Sequence, residues 1–168
     1  MEKKELELYI HIPFCVRKCN YCDFLSFPAD EDTQRQYVKA LCKEIFYYGA
    51  HCRDYVVSTV YIGGGTPSWL WESDMAEIMD AVHKNFALLP DAEVSVECNP
   101  GTVTAQKFAV YRQSGINRIS LGLQSAQNVE LKMLGRIHTW EQFLKTYELA
   151  RSGGFSLSLI HISEPTRP

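Results

Sequence analysis

Two hydrophobic rhythms take turns along this chain. Short apolar or alternating runs are followed by longer stretches with helical spacing. Leu6 to Ile12 is a short apolar strand. From Asp30 to about Gly49, Tyr37, Leu41, Ile45 and Tyr48 fall on one stripe with Val38, Cys42 and Phe46 beside it, which predicts a helix. Asp30, Asp32 or Thr33 suits its start and Gly49 its end. Val56 to Ile62 is β-branched and aromatic, a buried strand running into Gly63-Gly64-Gly65-Thr66-Pro67-Ser68. A helix from about Glu72 to Phe86 turns Met75, Ile78, Met79 and Val82 inward. Ala92 to Cys98 is a third strand, broken by Asn99-Pro100-Gly101, and Thr104 to Gln113 a third helix closed by Gly115. Arg118 to Gly122 is a fourth strand, and Thr139 to Arg151 a fourth helix before Gly153-Gly154.

Strand and helix thus alternate four times. That rhythm predicts an α/β fold of parallel strands joined by helical crossovers, either an open doubly wound sheet or a barrel. In both, ligands gather where strands end and loops begin. Four chemistry-bearing segments follow strands: the loop after Ile12, the glycine loop, Glu97-Cys98-Asn99-Pro100 and Gly122-Leu123-Gln124-Ser125. Their convergence on one rim is the pattern of an active site.

Composition narrows the setting. The 168 residues, 46% hydrophobic and 12% aromatic, suffice for one domain with a real core. A net charge of −3 without basic runs argues against general affinity for nucleic acid. No apolar stretch approaches the roughly 18 residues that span a bilayer, and the start carries no secretory pattern. The chain therefore reads as cytoplasmic, where clustered thiols suggest metal rather than disulfides. Cys42, Cys52 and Cys98 are scattered and read as small buried hydrophobes.

Cys15, Cys19 and Cys22 lie within eight residues, spaced C-x3-C-x2-C. Their number is odd, whereas a closed structural metal site or a cubane takes four protein ligands. Three thiolates can hold three corners of a four-iron cluster and leave the fourth iron open to a small molecule. The alternative is a zinc site completed by His11, as in a zinc-stabilised structural or interaction domain. Three consecutive glycines let the backbone approach a ligand and expose its N–H groups, or simply make a tight turn. Glu97, ending the third strand, suits hydrogen bonding to ribose hydroxyls. Alternation places Glu93 on the same face, so the strand does not choose between them. Gln124 and Arg136 are polar residues on or after the fourth strand.

The cysteine loop resembles the cluster motif of radical S-adenosyl-L-methionine (SAM) enzymes, and the glycine loop one strand later resembles their SAM-amino-group motif. In that family the open iron chelates the amino and carboxylate groups of SAM, and an electron from the cluster cleaves the sulfonium bond. Tyr9-Ile10-His11-Ile12-Pro13-Phe14-Cys15, Gly63 to Ser68, Glu97 to Gly101 and Arg118 to Ser125 are similar to the oxygen-independent coproporphyrinogen oxidase group, most of all its HemW (haem chaperone) branch. The resemblance runs from about Leu8 to Ser156. It implies the N-terminal part of a partial (β/α) barrel, truncated after about four βα units. It also implies that Cys15, Cys19 and Cys22 hold a 4Fe-4S cluster, and that Tyr9, Tyr21, Gly64, Gly65, Thr66, Glu97, Gln124 and Arg136 bind SAM. True oxidases of the group carry a further cysteine two positions past the third ligand, where this chain has Phe24. The resemblance therefore points to haem trafficking, with haem or a porphyrin, haem-accepting proteins and an electron donor as partners. The alternative is oxidative decarboxylation of coproporphyrinogen III to protoporphyrinogen IX. Spacing singles out no haem ligand among His11, His51, His83 and His138.

The last residues stand apart. Phe155 to Ile162 alternates like a fifth strand. However, Leu157 to Arg167 resembles a transposase sequencing adaptor translated in frame, and the family resemblance stops at Ser156. Residues 1–156 are therefore expected to be an incomplete radical SAM core and 157–168 a non-native tail.

Overall fold

The computed structural model describes residues 4–155 and the backbone of residues 157–162. The elements, in order, are β1 (Lys4–Ile12), α1 (Glu31–His51), β2 (Tyr55–Gly64), α2 (Glu72–Asn85), β3 (Leu88–Cys98), α3 (Ala105–Gln113), β4 (Arg118–Gln124), α4 (Asn128–Met133), α5 (Trp140–Ser152) and β5 (Leu157–Ile162). A single turn of 3-10 helix, Pro67–Trp69, follows the glycine loop. The strands form one sheet in the order β1-β2-β3-β4-β5, every pairing parallel.

That strand order resolves the choice between open sheet and barrel. Right-handed crossovers between consecutive neighbours deposit every helix on the same face, without the reversal that makes a doubly wound sheet. The helix-facing side carries the core: Ile10 and Ile12, Val60 and Ile62, Val94 and Val96, Ile119 and Leu121, packed with Val38, Ile78, Met79, Phe108 and Phe143. Each such side chain contributes about 1.5–3 kcal/mol on leaving water. The other face is polar. By alternation it carries Tyr9 and His11, Tyr61 and Gly63, Glu93, Ser95 and Glu97, and Arg118, Ser120 and Gly122.

Several details depart from the hydrophobic pattern. Asp30 is the cap of α1, its carboxylate accepting from the Thr33 amide at 2.8 Å. Gly49 does not end that helix. A Cβ there would lie 2.6 Å from Asn85 at the end of α2, so the glycine permits the close crossing of α1 and α2 while the helix continues to His51. The buried stripe is Gln34, Val38, Leu41, Ile45 and Gly49, leaving Phe46 and Tyr48 exposed. Strand β3 begins at Leu88, before Pro90, with an irregularity in its pairing between Val57 and Thr59 that absorbs the proline. Helix α4 has no counterpart in the periodic pattern, because six residues with one buried position, Leu131, are too short to show a stripe. Four βα units are present, as expected, and the alternating stretch after them adds a fifth strand: β5 pairs with β4 from Arg118–Leu157 to Gln124–Ile162. Unpaired backbone groups on the edge of β4 accept any segment of strand-like alternation.

Candidate functional site

The C-terminal ends of β1 to β4 open into a cavity of about 310 Å³. Small-molecule sites commonly enclose roughly 300–1,000 Å³. Its walls carry Cys15, Cys19 and Cys22 from the first loop, Gly64, Gly65 and Thr66 from the second, Glu97 and Asn99 from the third, and Gly122, Gln124 and Arg136 from the fourth.

The first loop is closed at its base by the bond from the Phe27 amide to the Pro13 carbonyl (2.9 Å) and that from Cys15 to Phe27 (3.1 Å). Phe14 is buried beneath it, edge-on to both Phe27 and Tyr37. Cys15 is buried and its Sγ lies 3.3 Å from Thr66 Oγ1, while Cys19 and Cys22 are half-buried. Among the described residues no three such groups converge on a single-ion site. A cubane presents a separate iron to each thiolate, so its ligands stand apart around one cavity. His11 does not complete a metal site: its Nε2 faces the Leu25 carbonyl at 3.0 Å and its Nδ1 the Tyr9 hydroxyl at 2.9 Å.

The glycine loop fits because side chains are absent. A Cβ on Gly65 would lie 2.7 Å from the Phe14 carbonyl oxygen and 2.9 Å from that of Ile12, so only glycine lets β2 pass this close to the cysteine loop. Gly64 has φ of +113°, in the region that favours glycine. Its amide donates to Glu97 Oε2 at 3.1 Å, and Tyr61 Oη donates to Glu97 Oε1 at 2.7 Å. Both carboxylate oxygens are thereby aimed along the cavity wall. Burial, and next the bond to Glu97, push the Tyr61 phenol up to about 12. Glu93, the other acid on this face, pairs instead with Arg118 at 2.7 Å, which separates the two carboxylates that alternation alone left equivalent.

Arg136 is the hub. Its Nη2 donates to Asn99 Oδ1 and to the Gly122 carbonyl, each at 2.8 Å, and its Nη1 lies 3.6 Å from Cys19 Sγ. Its Nε is buried with no partner. A buried donor without a partner is expected where a ligand supplies the missing acceptor. Gln124 has φ of +68°, a conformation that side chains rarely adopt and that clusters at functional sites. Tyr21 lines the cavity beside Arg136 and Cys19, its phenol pushed up chiefly by burial and further by Cys19.

The structure brings together ten of the eleven positions that the sequence pointed to. Tyr9 lies apart: 59% exposed, its ring stacked on Tyr61 at 6.3 Å, it borders a separate recess between β1 and α1. Asn99, Ser120 and Gly122 line the cavity without having been given an individual role, although Asn99 and Gly122 lie in two of the segments that follow strands. Asn99 follows β3 directly before a Pro-Gly break, and that placement was its one signal in the sequence.

Residues 9–163 match the Radical SAM superfamily. The chain belongs to that superfamily. Membership implies a 4Fe-4S cluster and SAM, and the residues present fit the pair: three thiols, a glycine cradle and a guanidinium with one unpartnered N–H around one cavity. The chain is 42% identical over 160 residues to "Heme chaperone HemW" of Escherichia coli strain K12, covering 93% of this chain and 42% of that protein. It is 37% identical to the protein of the same name from Haemophilus influenzae, covering 93% and 43%. It superposes on coproporphyrinogen III oxidase (HemN) from Escherichia coli, a radical SAM enzyme, with a TM-score of 0.87 and 29% identity over 95% of this chain and 37% of that one. The chain spans about two fifths of the length of the curated relatives it matches. Among the described residues no helix is long and apolar enough to cross a membrane.

Proposed function

We propose that this chain is the cluster- and SAM-binding part of a HemW-like haem chaperone. The observation that carries the reading is the meeting of Cys15, Cys19 and Cys22 with Gly64, Gly65, Thr66, Glu97, Gln124 and Arg136 on one cavity. Cys15, Cys19 and Cys22 are assigned to the cluster, and the other six residues with Tyr21 to SAM. Tyr9 keeps a supporting part through its stack on Tyr61. When bound, the cluster supplies the electron and SAM the reactive fragment. The chain's own residues orient them: Glu97 accepts hydrogen bonds from hydroxyls, Arg136 pairs with a carboxylate, and the glycine-loop backbone accommodates an amino group.

Phe24 favours the chaperone over the oxidase. It stands where the oxidases of the group carry an extra cysteine, lines the cavity wall and is 63% exposed. The curated relatives named as haem chaperones support the same side. The second reading, coproporphyrinogen III oxidase, is favoured by the superposition on HemN. In the proposed role the chain works in the cytoplasm, receives haem or a porphyrin and passes haem to acceptor proteins, with an electron donor serving the cluster. The test is anaerobic reconstitution followed by two assays. Haemin titration is expected to give a saturable Soret band. Incubation with SAM, reductant and coproporphyrinogen III is expected to leave the porphyrinogen unchanged, and formation of protoporphyrinogen IX would overturn the chaperone reading.

We also propose that residues 157–168 are translated adaptor sequence. The pairing of β5 with β4 is compatible with this, since backbone pairing needs only an extended segment. A genomic locus encoding the same ending without adaptor nucleotides would refute it.

A further inference from the structure

We propose that Arg136 acts on the cluster itself: its guanidinium donates a hydrogen bond to the Cys19 thiolate and thereby raises the reduction potential of the cluster that this thiolate holds. The inference rests on the 4Fe-4S reading of the three cysteines.

Nη1 of Arg136 lies 3.6 Å from Cys19 Sγ, within hydrogen-bonding reach of sulfur. The other end of the fork is fixed by Asn99 Oδ1 and the Gly122 carbonyl at 2.8 Å each, so the planar group is held at three points and cannot swing away. The sulfur is held as firmly. Arg17 and Asn20, which flank Cys19 in the loop, are tied to the residues just before Arg136. The Asn20 amide donates to the Leu134 carbonyl at 3.0 Å, Asn20 Nδ2 to Met133 at 2.9 Å, and Arg17 Nη2 to Gly135 at 2.8 Å. A Cβ on Gly135 would come within 2.9 Å of Asn20 Oδ1, so a glycine is needed for the two loops to meet at this distance. The Cys19–Arg136 contact is therefore built into the backbone register of two loops 117 residues apart. Cys15 has a neutral partner, the Thr66 hydroxyl, whereas Cys19 has a fixed cation.

Reduction adds one negative charge to the cluster. A donor to a ligating sulfur and a positive charge held beside it stabilise the more negative form, which raises the potential. The experiment compares the anaerobically reconstituted wild-type chain with Arg136→Gln, Arg136→Lys and Asn20→Ala. All are titrated with dithionite without SAM, so that effects through the cofactor do not enter. The midpoint is read from the electron paramagnetic resonance signal of the reduced cluster. Arg136→Gln is expected to shift to a more negative potential, with Arg136→Lys in between. Asn20→Ala, which loosens the register but keeps the guanidinium, is expected to shift in the same direction. Where Arg136→Gln takes up no iron, Asn20→Ala decides. A potential unchanged from wild type overturns the proposal, while a wild-type chain that takes up no iron overturns the cluster reading beneath it.

Discussion

Tyr61 and Glu97 meet across neighbouring strands, the phenol donating to the carboxylate at 2.7 Å while the Gly64 amide takes its other oxygen. A hydrogen bond to a charged group is worth about 1.5–3 kcal/mol. Tyr61→Phe is therefore expected to lower the urea-denaturation free energy by about that amount. The phenol's value is raised from 10.0 to about 12 in the folded chain, so its contribution is complete below pH 10 and is lost as pH climbs from 10 towards 12. Over that window wild type is expected to lose more stability than Tyr61→Phe. Equal slopes would show that burial and the bond to Glu97 do not raise the phenol in the folded chain.

Lys107 closes the second layer behind the site. Its ammonium donates to the carbonyls of Ser68 at 2.9 Å, Leu70 at 2.8 Å and Thr102 at 3.2 Å, while Ser68 Oγ meets Thr102 Oγ1 at 2.6 Å and accepts from the Asn99 amide at 3.1 Å. The loops after β2 and β3 are thereby locked together. Lys107→Met strands these carbonyls, and one orphaned buried acceptor costs about 1–3 kcal/mol. A denaturation midpoint equal to wild type would refute this.

His138 sets an acid limit. Burial first, and then the nearby Arg136 cation, lower it from 6.5 to about 4, against the opposing bond to the Leu123 carbonyl. The folded state holds the neutral ring, so this contribution is complete above pH 6.5 and is lost as pH falls towards 4. His138→Gln is expected to flatten the stability profile between pH 6.5 and 4. An unchanged profile by thermal melting would assign the acid sensitivity elsewhere.

Gly64→Ala combines two penalties. The residue holds φ of +113°, and a new Cβ would lie 2.5 Å from the His11 ring, which is itself tied to Tyr9 and Leu25. Backbone strain of this kind costs about 1–3 kcal/mol, to which the clash adds. Circular dichroism melts are expected to show a clear fall in melting temperature, and an unaltered melt would mean that the ring moves freely.

Much of this arrangement was legible beforehand, for identifiable reasons. Val56 to Ile62 reads as a strand because both its rhythm and its β-branched content agree. Asp30, one of three possible caps, is the one whose carboxylate reaches the Thr33 amide. The pattern misled where tertiary contact outweighs local propensity. Gly49 reads as a helix end but sits inside α1, because α2 passes too close for any side chain. Tyr48 reads as core yet is 52% exposed, because the helix turns its Gln34–Gly49 stripe inward instead.

Spacing in the chain was enough to name the cysteines, the glycine loop and the alternation of strands and helices, since these are properties of near neighbours. Which of Glu93 and Glu97 faces the cavity, where Tyr9 lies, and what Arg136 touches were not written in any local pattern. Those outcomes depend on how far each strand advances before its loop turns, and on which side chain from a neighbouring strand or a distant loop pairs with each polar group. Arg118 reaches Glu93 and leaves Glu97 to the cavity; Asn20 and Gly135 bring Cys19 to Arg136.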